Sequence, residues 1–393
     1  MNATSPLKYY LDFLRFSLNE ETEVPVAARH INWHSLLLFA KNQSLVGVYW
    51  MGVRRLGSQK ENKPTDDDVM EWMAVCGQLA RRNEHVTDRS AWVARNFQKE
   101  GFHACLLKGQ GNGLLYPDPS LRTPGDIDIW VTPSPTPALP RREGESPTPT
   151  PSPVGKGTCQ GGVSTVIAYC RQFVPDAKAC YHHIDFLNAG DVPVEVHYRP
   201  SWLNNPFHNS RLQTYFQKHA AEQFANEQPQ GFSVPTWEFN VVFQLCHIAN
   251  HLLHEGIGLR QIVDYYYLLR SNTQRKGIDD YEQVFRYMGL LPFARPLMWV
   301  LAQVLGLDER LLVARQDERR GRLLLKELLA SGDLGKHDDR VLSGTYSSPL
   351  KANLQRVVRD LRMVRYYPSE CFWEPIFRIR HFFWRWQHRP RRQ

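Results

Sequence analysis

The segment Gly125-Asp-Ile-Asp-Ile-Trp-Val131 constrains this chain more than any other, because two carboxylates alternate with two isoleucines. Successive side chains of a strand point to opposite faces, so Asp126 and Asp128 are expected on one face while Ile127 and Ile129 bury the other. Paired carboxylates on a strand suit a divalent cation, since hard ions such as Mg2+ take oxygen ligands and are commonly held by one or two protein carboxylates plus substrate phosphates. Upstream, Lys108-Gly-Gln-Gly-Asn-Gly113 reads as a glycine-rich turn following a short buried strand at residues 103 to 107. The two segments together point to phosphate chemistry.

A chain of 393 residues exceeds the usual single core, so two or three packed units are expected. Hydrophobic residues at 42% and charged residues at 22% exclude wholesale disorder. No apolar run reaches the roughly 18 residues of a membrane span, and the first residues lack the basic-then-apolar form of a secretion signal. The expected compartment is the cytoplasm. Seven cysteines without a Cys-x-x-Cys pair fit reduced, mostly buried thiols.

The expected fold class is α+β, a small mixed β-sheet flanked by N-terminal helices and a larger C-terminal helical region. Residues 1–102 read as helical, with Asp66, Asp67 and Asp68 suited to a helix N-terminus. Residues 103–200 carry four strands, at 103 to 107, 126 to 131, 181 to 187 and 192 to 198, the last two joined by the turn Asn188-Ala-Gly-Asp191. The Pro/Ser-rich insertion at 132–162 cannot bury enough apolar area to offset its ordering entropy, and is expected to be disordered or extended. Residues 201–393 read as helices, the clearest at 237 to 253, 259 to 270, 280 to 288, 292 to 305, 309 to 329, 350 to 364 and 375 to 386.

Two metal ions handling a phosphate usually need a third acidic ligand. Glu195 is the candidate: it lies between Val194 and Val196, so it projects away from both valines and on the same side as His197. A carboxylate in an otherwise apolar strand is costly unless paired or metal-bound. Lys108 and Arg122 are the nearest cations for neutralising phosphate charge. Strand alternation lets only one of His182 and His183 face the site. His247, His251 and His254 share one helix face, which lacks a metalloprotease glutamate and a fourth ligand, and is expected to pack on the sheet. Asp264 would pair with Arg260 or with one of those histidines, and the tyrosines after it suit a core.

The order of a helical lead-in, LLKGQGNGLLYPDPSLRTPGDIDIWV, HHIDFLNAGDVPVEVHYRPSW and HIANHLLHEGIGLRQIVDYYYLL resembles the uncharacterised nucleotidyltransferase family of the polymerase-beta-like superfamily. The resemblance covers most of residues 30 to 270 outside the insertion. It implies a nucleotidyltransferase core that moves a nucleoside monophosphate from a nucleoside triphosphate, ATP by default, to an acceptor hydroxyl with release of pyrophosphate. Asp126, Asp128 and Glu195 would be both catalytic and metal ligands for Mg2+ or Mn2+. Lys108, Gly109, Gln110, Arg122 and His197 would meet the nucleotide, with the backbone N–H groups of Gly109 and Gln110 at its terminal phosphates. The wider superfamily has Gly-Ser where Gln110 follows Gly109, and a shorter gap than the sixteen residues between Gly109 and Asp126 here.

The net charge of +8 suggests polyanionic partners, and residues 378 to 393 hold six arginines and no acid. Such a tail can bind nucleic acid or anionic lipid, or else Phe382, Phe383, Trp384 and Trp386 pack a terminal helix on the body while the arginines stay solvated. The alternative to catalysis is a non-catalytic protein on a retained nucleotidyltransferase scaffold that binds through this tail.

Overall fold

The computed structural model describes residues 6–56, 62–134, 159–272, 277–331 and 349–390. Most of the proline-rich insertion, and Arg391 and Arg392 of the basic tail, lie outside the described residues.

Helices α1 (Pro6–Leu18), α2 (Trp33–Asn42) and α3 (Val46–Arg55) lead into α4 (Asp66–Lys99). The three aspartates at the start of α4 act at its N-terminus: Thr65 accepts from the Asp68 amide, and Asp68 in turn accepts from the Thr65 amide. Then follow β1 (Phe102–Leu106), the single turn α5 (Gln110–Gly113), β2 (Ile127–Pro133), α6 (Cys159–Phe173), β3 (His183–Asn188) and β4 (Pro193–His197). The four strands form one mixed sheet in the order β1-β2-β4-β3, with β2 and β4 parallel and the outer pairs antiparallel. The turn between β3 and β4 places Gly190 and Asp191 at positive φ, and Asp191 is tied to Arg82 and His85 of α4.

The register explains the two faces. Ile127, Ile129, Val131, Val194, Val196 and Ile184 pack with Ala104 and Leu106 against α4 and α6 in one apolar core. The opposite face carries Asp128 beside Glu195, Asp185 beside Glu195, His183 beside His197, and His197 beside Trp130. Trp130 continues that face into the second core, stacking on Phe239 with ring centroids 5.7 Å apart.

The helical remainder comprises α7 (Pro206–Lys218), α8 (Ala220–Ala225), a two-stranded ribbon of β5 (Glu227–Gln228) and β6 (Phe232–Ser233), α9 (Trp237–His254), α10 (Leu259–Arg270), α11 (Ile278–Tyr287), α12 (Leu291–Trp299), α13 (Glu318–Ser331), α14 (Pro349–Met363) and α15 (Pro368–Gln387). Helices from both ends of the chain share the second core, in which Phe13 and Tyr49 meet Phe243, Tyr265 and Tyr266. The tyrosines after Asp264 are therefore buried core residues.

Several boundaries differ from the sequence expectation. The stretch from Glu309 does not open a long helix: Asp308 accepts from the Arg310 amide and closes a 3-10 turn, and α13 starts at Glu318, where Asp317 accepts from the Arg320 amide. α12 ends at Trp299 and continues as a widened turn, with the Leu305 amide bonded to the Val300 carbonyl. α15 begins at Pro368 and carries Pro375 within it. Of the tail aromatics, only Trp384 packs, against Tyr198 and Tyr181, while Phe382, Phe383 and Trp386 are exposed.

One ion-pair cluster makes the fold acid-sensitive. Glu282 of α11 accepts two bonds from Arg295 of α12, and the Arg315 amide and guanidinium also donate to it. The bond from Arg295 leads, overcoming burial, and holds the Glu282 carboxyl down at about 2 against an ordinary value of 4.5. A depressed carboxylate contributes stability fully above its unfolded value and loses it as pH falls through the folded value. Stability is thus expected to decline between pH 4.5 and about 2, and Glu282→Gln should flatten that decline in urea titrations across this range.

Candidate active site

The sheet face described above opens into a cavity of about 220 Å³. Three carboxylates meet there: an oxygen from each of Asp126, Asp128 and Glu195 lies within 4.8 Å of the others. Asp126 sits just before β2, while Asp128 and Glu195 are cross-strand partners in the parallel pair. The placement follows from alternation, since the isoleucines and valines between these acids are drawn into the core.

Asp128 is only 2% exposed and is held from two sides. Its Oδ1 lies 2.8 Å from Lys108 Nζ and accepts from His197 Nε2 at 3.0 Å. Burial opposes ionisation of Asp128, but Lys108 and then His197 outweigh it and hold the carboxyl below the usual carboxylate range. Repulsion from Asp128, with burial second, pushes the Asp126 carboxyl up. Burial works against the Lys108 ammonium, yet the three carboxylates raise it to about 12. Glu195 is lowered because the bond from His197 and the charge of His183 overcome its burial.

The remaining predicted residues fall in different places. Gly109 lines the cavity at φ 58°, where a Cβ would stand 3.3 Å from the Asp126 carbonyl oxygen, so the turn is seated directly on the carboxylate strand. The Gln110 side chain turns away from it and donates to the Asn83 carbonyl and the Thr87 hydroxyl of α4. Arg122 lies at the cavity wall but is engaged by Asp264, with Nε to Oδ1 and Nη2 to Oδ2 both at 2.8 Å. Tyr116 and Asn112 donate to the same carboxylate. The charge of Arg260 acts on Asp264 as expected, and the direct bidentate partner is Arg122, an arginine far away in sequence.

Both His182 and His183 line the cavity, contrary to the alternation argument, because β3 begins at His183 and His182 lies in the preceding loop. Trp202 packs on His182 at 4.1 Å between ring centroids. The His247, His251 and His254 face borders this cavity, and the same helix packs on the sheet through Phe239 against Trp130. Sequence reasoning missed Asn112, Gln244 and Asn250 as cavity residues. The spacing of Gln244, His247 and His251 along α9 was the available signal for a common face, but periodicity does not say what that face meets.

A mixed four-stranded sheet that gathers three acids beside a positive-φ glycine turn, surrounded by helices, makes this an α+β protein with an acidic site on one sheet face. The chain belongs to the uncharacterised nucleotidyltransferase family, whose sequence pattern matches residues 29–306. No curated protein and no solved structure matches it. Nucleotidyl transfer is thus the general activity of its class, with α13 to α15 lying beyond the matched span. Among the described residues, no helix is long and apolar enough to cross a membrane.

Proposed function

We propose that this protein moves a nucleoside monophosphate from a nucleoside triphosphate to an acceptor hydroxyl and releases pyrophosphate. The observation that carries the reading is the convergence of Asp126, Asp128 and Glu195 on one sheet face. Their donor set fits divalent cations: three acidic oxygens crowd together, Asp126 is pushed up by its neighbour, and Lys108 with His197 answers chiefly the charge of Asp128. Mg2+ or Mn2+ held there would neutralise the phosphates and acidify the acceptor hydroxyl.

The chain's own residues prepare that chemistry by position and charge. His197 orients Asp128, and Lys108 stands between the carboxylates and the glycine turn, where a triphosphate would draw it. Gly109 keeps backbone close to the acid strand, and Gln110 would contribute only its N–H, its side chain being committed to α4. We assign Arg122 to the cavity wall and not to a phosphate clamp, since Asp264 already takes its fork. The test is a thermal-shift series with ATP, GTP, CTP and UTP, each with Mg2+ or Mn2+. At least one pair should stabilise the wild type and fail to stabilise the Asp126→Asn, Asp128→Asn double variant. Absence of any metal-dependent nucleotide effect on the wild type would end the proposal.

The exposed face of α15 supports a polyanion contact in addition. Arg380 and Arg385 of the helix, and Arg389 just beyond its end, are exposed alongside Phe382, Phe383 and Trp386, a pairing of cations and aromatics suited to nucleic acid. Removing the whole tail would also strip Trp384 from Tyr198 and the His388 carbonyl from Arg171, so charge reversal is the cleaner change. Reversing the three arginines to glutamate should abolish salt-sensitive binding to single-stranded RNA while leaving the melting temperature near wild type. Unchanged RNA affinity at low salt would refute this contact.

A further inference from the structure

The ring of donors around Glu195 is not made of carboxylates alone. Glu195 Oε2 lies 3.4 Å from His197 Nε2 and 3.5 Å from His183 Nδ1. His197 Nε2 is also 3.0 Å from Asp128 Oδ1, and one donor atom each from His183, Glu195 and His197 falls within 4.8 Å of the others. These separations match the ligand spacing around a single ion, which is about 3.0 Å between adjacent octahedral ligands and about 3.4 Å between tetrahedral ones at bond lengths near 2.1 Å. The backbone builds the group firmly. His183 and His197 are cross-strand partners on β3 and β4, and Glu195 precedes His197 by two residues on the same face.

We propose that the ion beside Glu195 is a transition metal held by Glu195 with the imidazoles of His183 and His197, the His197 Nε2 giving up its bond to Asp128 when it ligates the ion. This rests on the nucleotidyl-transfer reading and deepens it by naming the metal class. Imidazole nitrogen binds Co2+ and Zn2+ well and Mn2+ more weakly, whereas Mg2+ prefers oxygen and sheds its water reluctantly. The site is then asymmetric. The oxygen-only position formed by Asp126 and Asp128 suits the ion that accompanies the nucleotide, and the mixed position suits the ion nearest the acceptor. A further imidazole and a softer thiol lie beside it, with His182 Nε2 2.8 Å from His183 Nδ1 and Cys180 Sγ 3.4 Å from His182 Nδ1.

The test uses the full chain freed of metal and then loaded with Mn2+ or Co2+ without nucleotide. Pulsed electron paramagnetic resonance of the Mn2+ form should show directly coupled nitrogen, and Co2+ should give visible ligand-field bands at stoichiometric loading. His183→Gln should weaken Co2+ binding by about tenfold or more and reduce the nitrogen coupling. Its far-ultraviolet dichroism checks that the chain still folds, and the nitrogen signal of the wild type stands without the variant. Mn2+ bound with no nitrogen coupling, and released by Asp126→Asn, would overturn this inference and leave nucleotidyl transfer intact. No divalent ion bound to the nucleotide-free wild type would likewise overturn this inference, while the nucleotide thermal-shift series decides nucleotidyl transfer separately.

Discussion

Asp128→Asn is expected to lower nucleotidyl transfer by on the order of 10³-fold or more while preserving secondary structure. The substitution keeps the shape of the side chain and removes the charge toward which Lys108 and His197 both point. Because Asp128 is buried between them, no other acid can take its place without moving the parallel pair of β2 and β4. Steady-state kinetics alongside circular dichroism make the comparison. Transfer within about tenfold of wild type would exclude Asp128 from the reacting centre.

The second large effect concerns stability. Asp264→Ala should destabilise the protein by about 3–5 kcal/mol, because it leaves the Arg122 guanidinium buried without its carboxylate. Tyr116 and Asn112 would lose an acceptor at the same time. This cluster joins the segment between the glycine turn and β2 to α10, so the cavity wall depends on it. Replacing both partners by apolar residues, Arg122→Met with Asp264→Leu, should cost less than Asp264→Ala alone, since no charge is then stranded. Urea unfolding of the wild type and the two variants at neutral pH supplies the ranking, and an Asp264→Ala loss under about 1 kcal/mol would show that the pair is solvated.

Much of the sheet was legible because its signals are local. Alternation at Asp126-Ile-Asp128-Ile and Val194-Glu195-Val196-His197 assigns faces without knowledge of the fold, and the four strands lie where that pattern puts them, within two residues. The gathering of the three acids followed from the same alternation together with the family resemblance.

What was not legible depends on contacts between distant segments. Gln110 shows nothing in its neighbours of the Asn83 and Thr87 that capture its side chain. Asp264 has a sequence-local candidate in Arg260, yet the bidentate fork of Arg122 wins across the chain. The cavity beside the α9 histidines is not visible in their spacing, since a buried helix face and a cavity wall share one periodicity. Phe382, Phe383 and Trp386 are exposed although aromatic, because α15 docks with Phe377, His381 and Trp384 and turns its other side outward.

A nucleotidyl group, not a phosphoryl group, is expected to leave the donor. This is tested most directly by incubating the metal-loaded protein and an acceptor extract with nucleoside triphosphate labelled at the α-phosphate or, in parallel, at the γ-phosphate. The α-label should become attached to acceptor, the γ-label should be released as pyrophosphate, and both events should vanish in the Asp126→Asn, Asp128→Asn double variant. Transfer of γ-label to acceptor, or α-label transfer undiminished in that variant, would contradict this expectation.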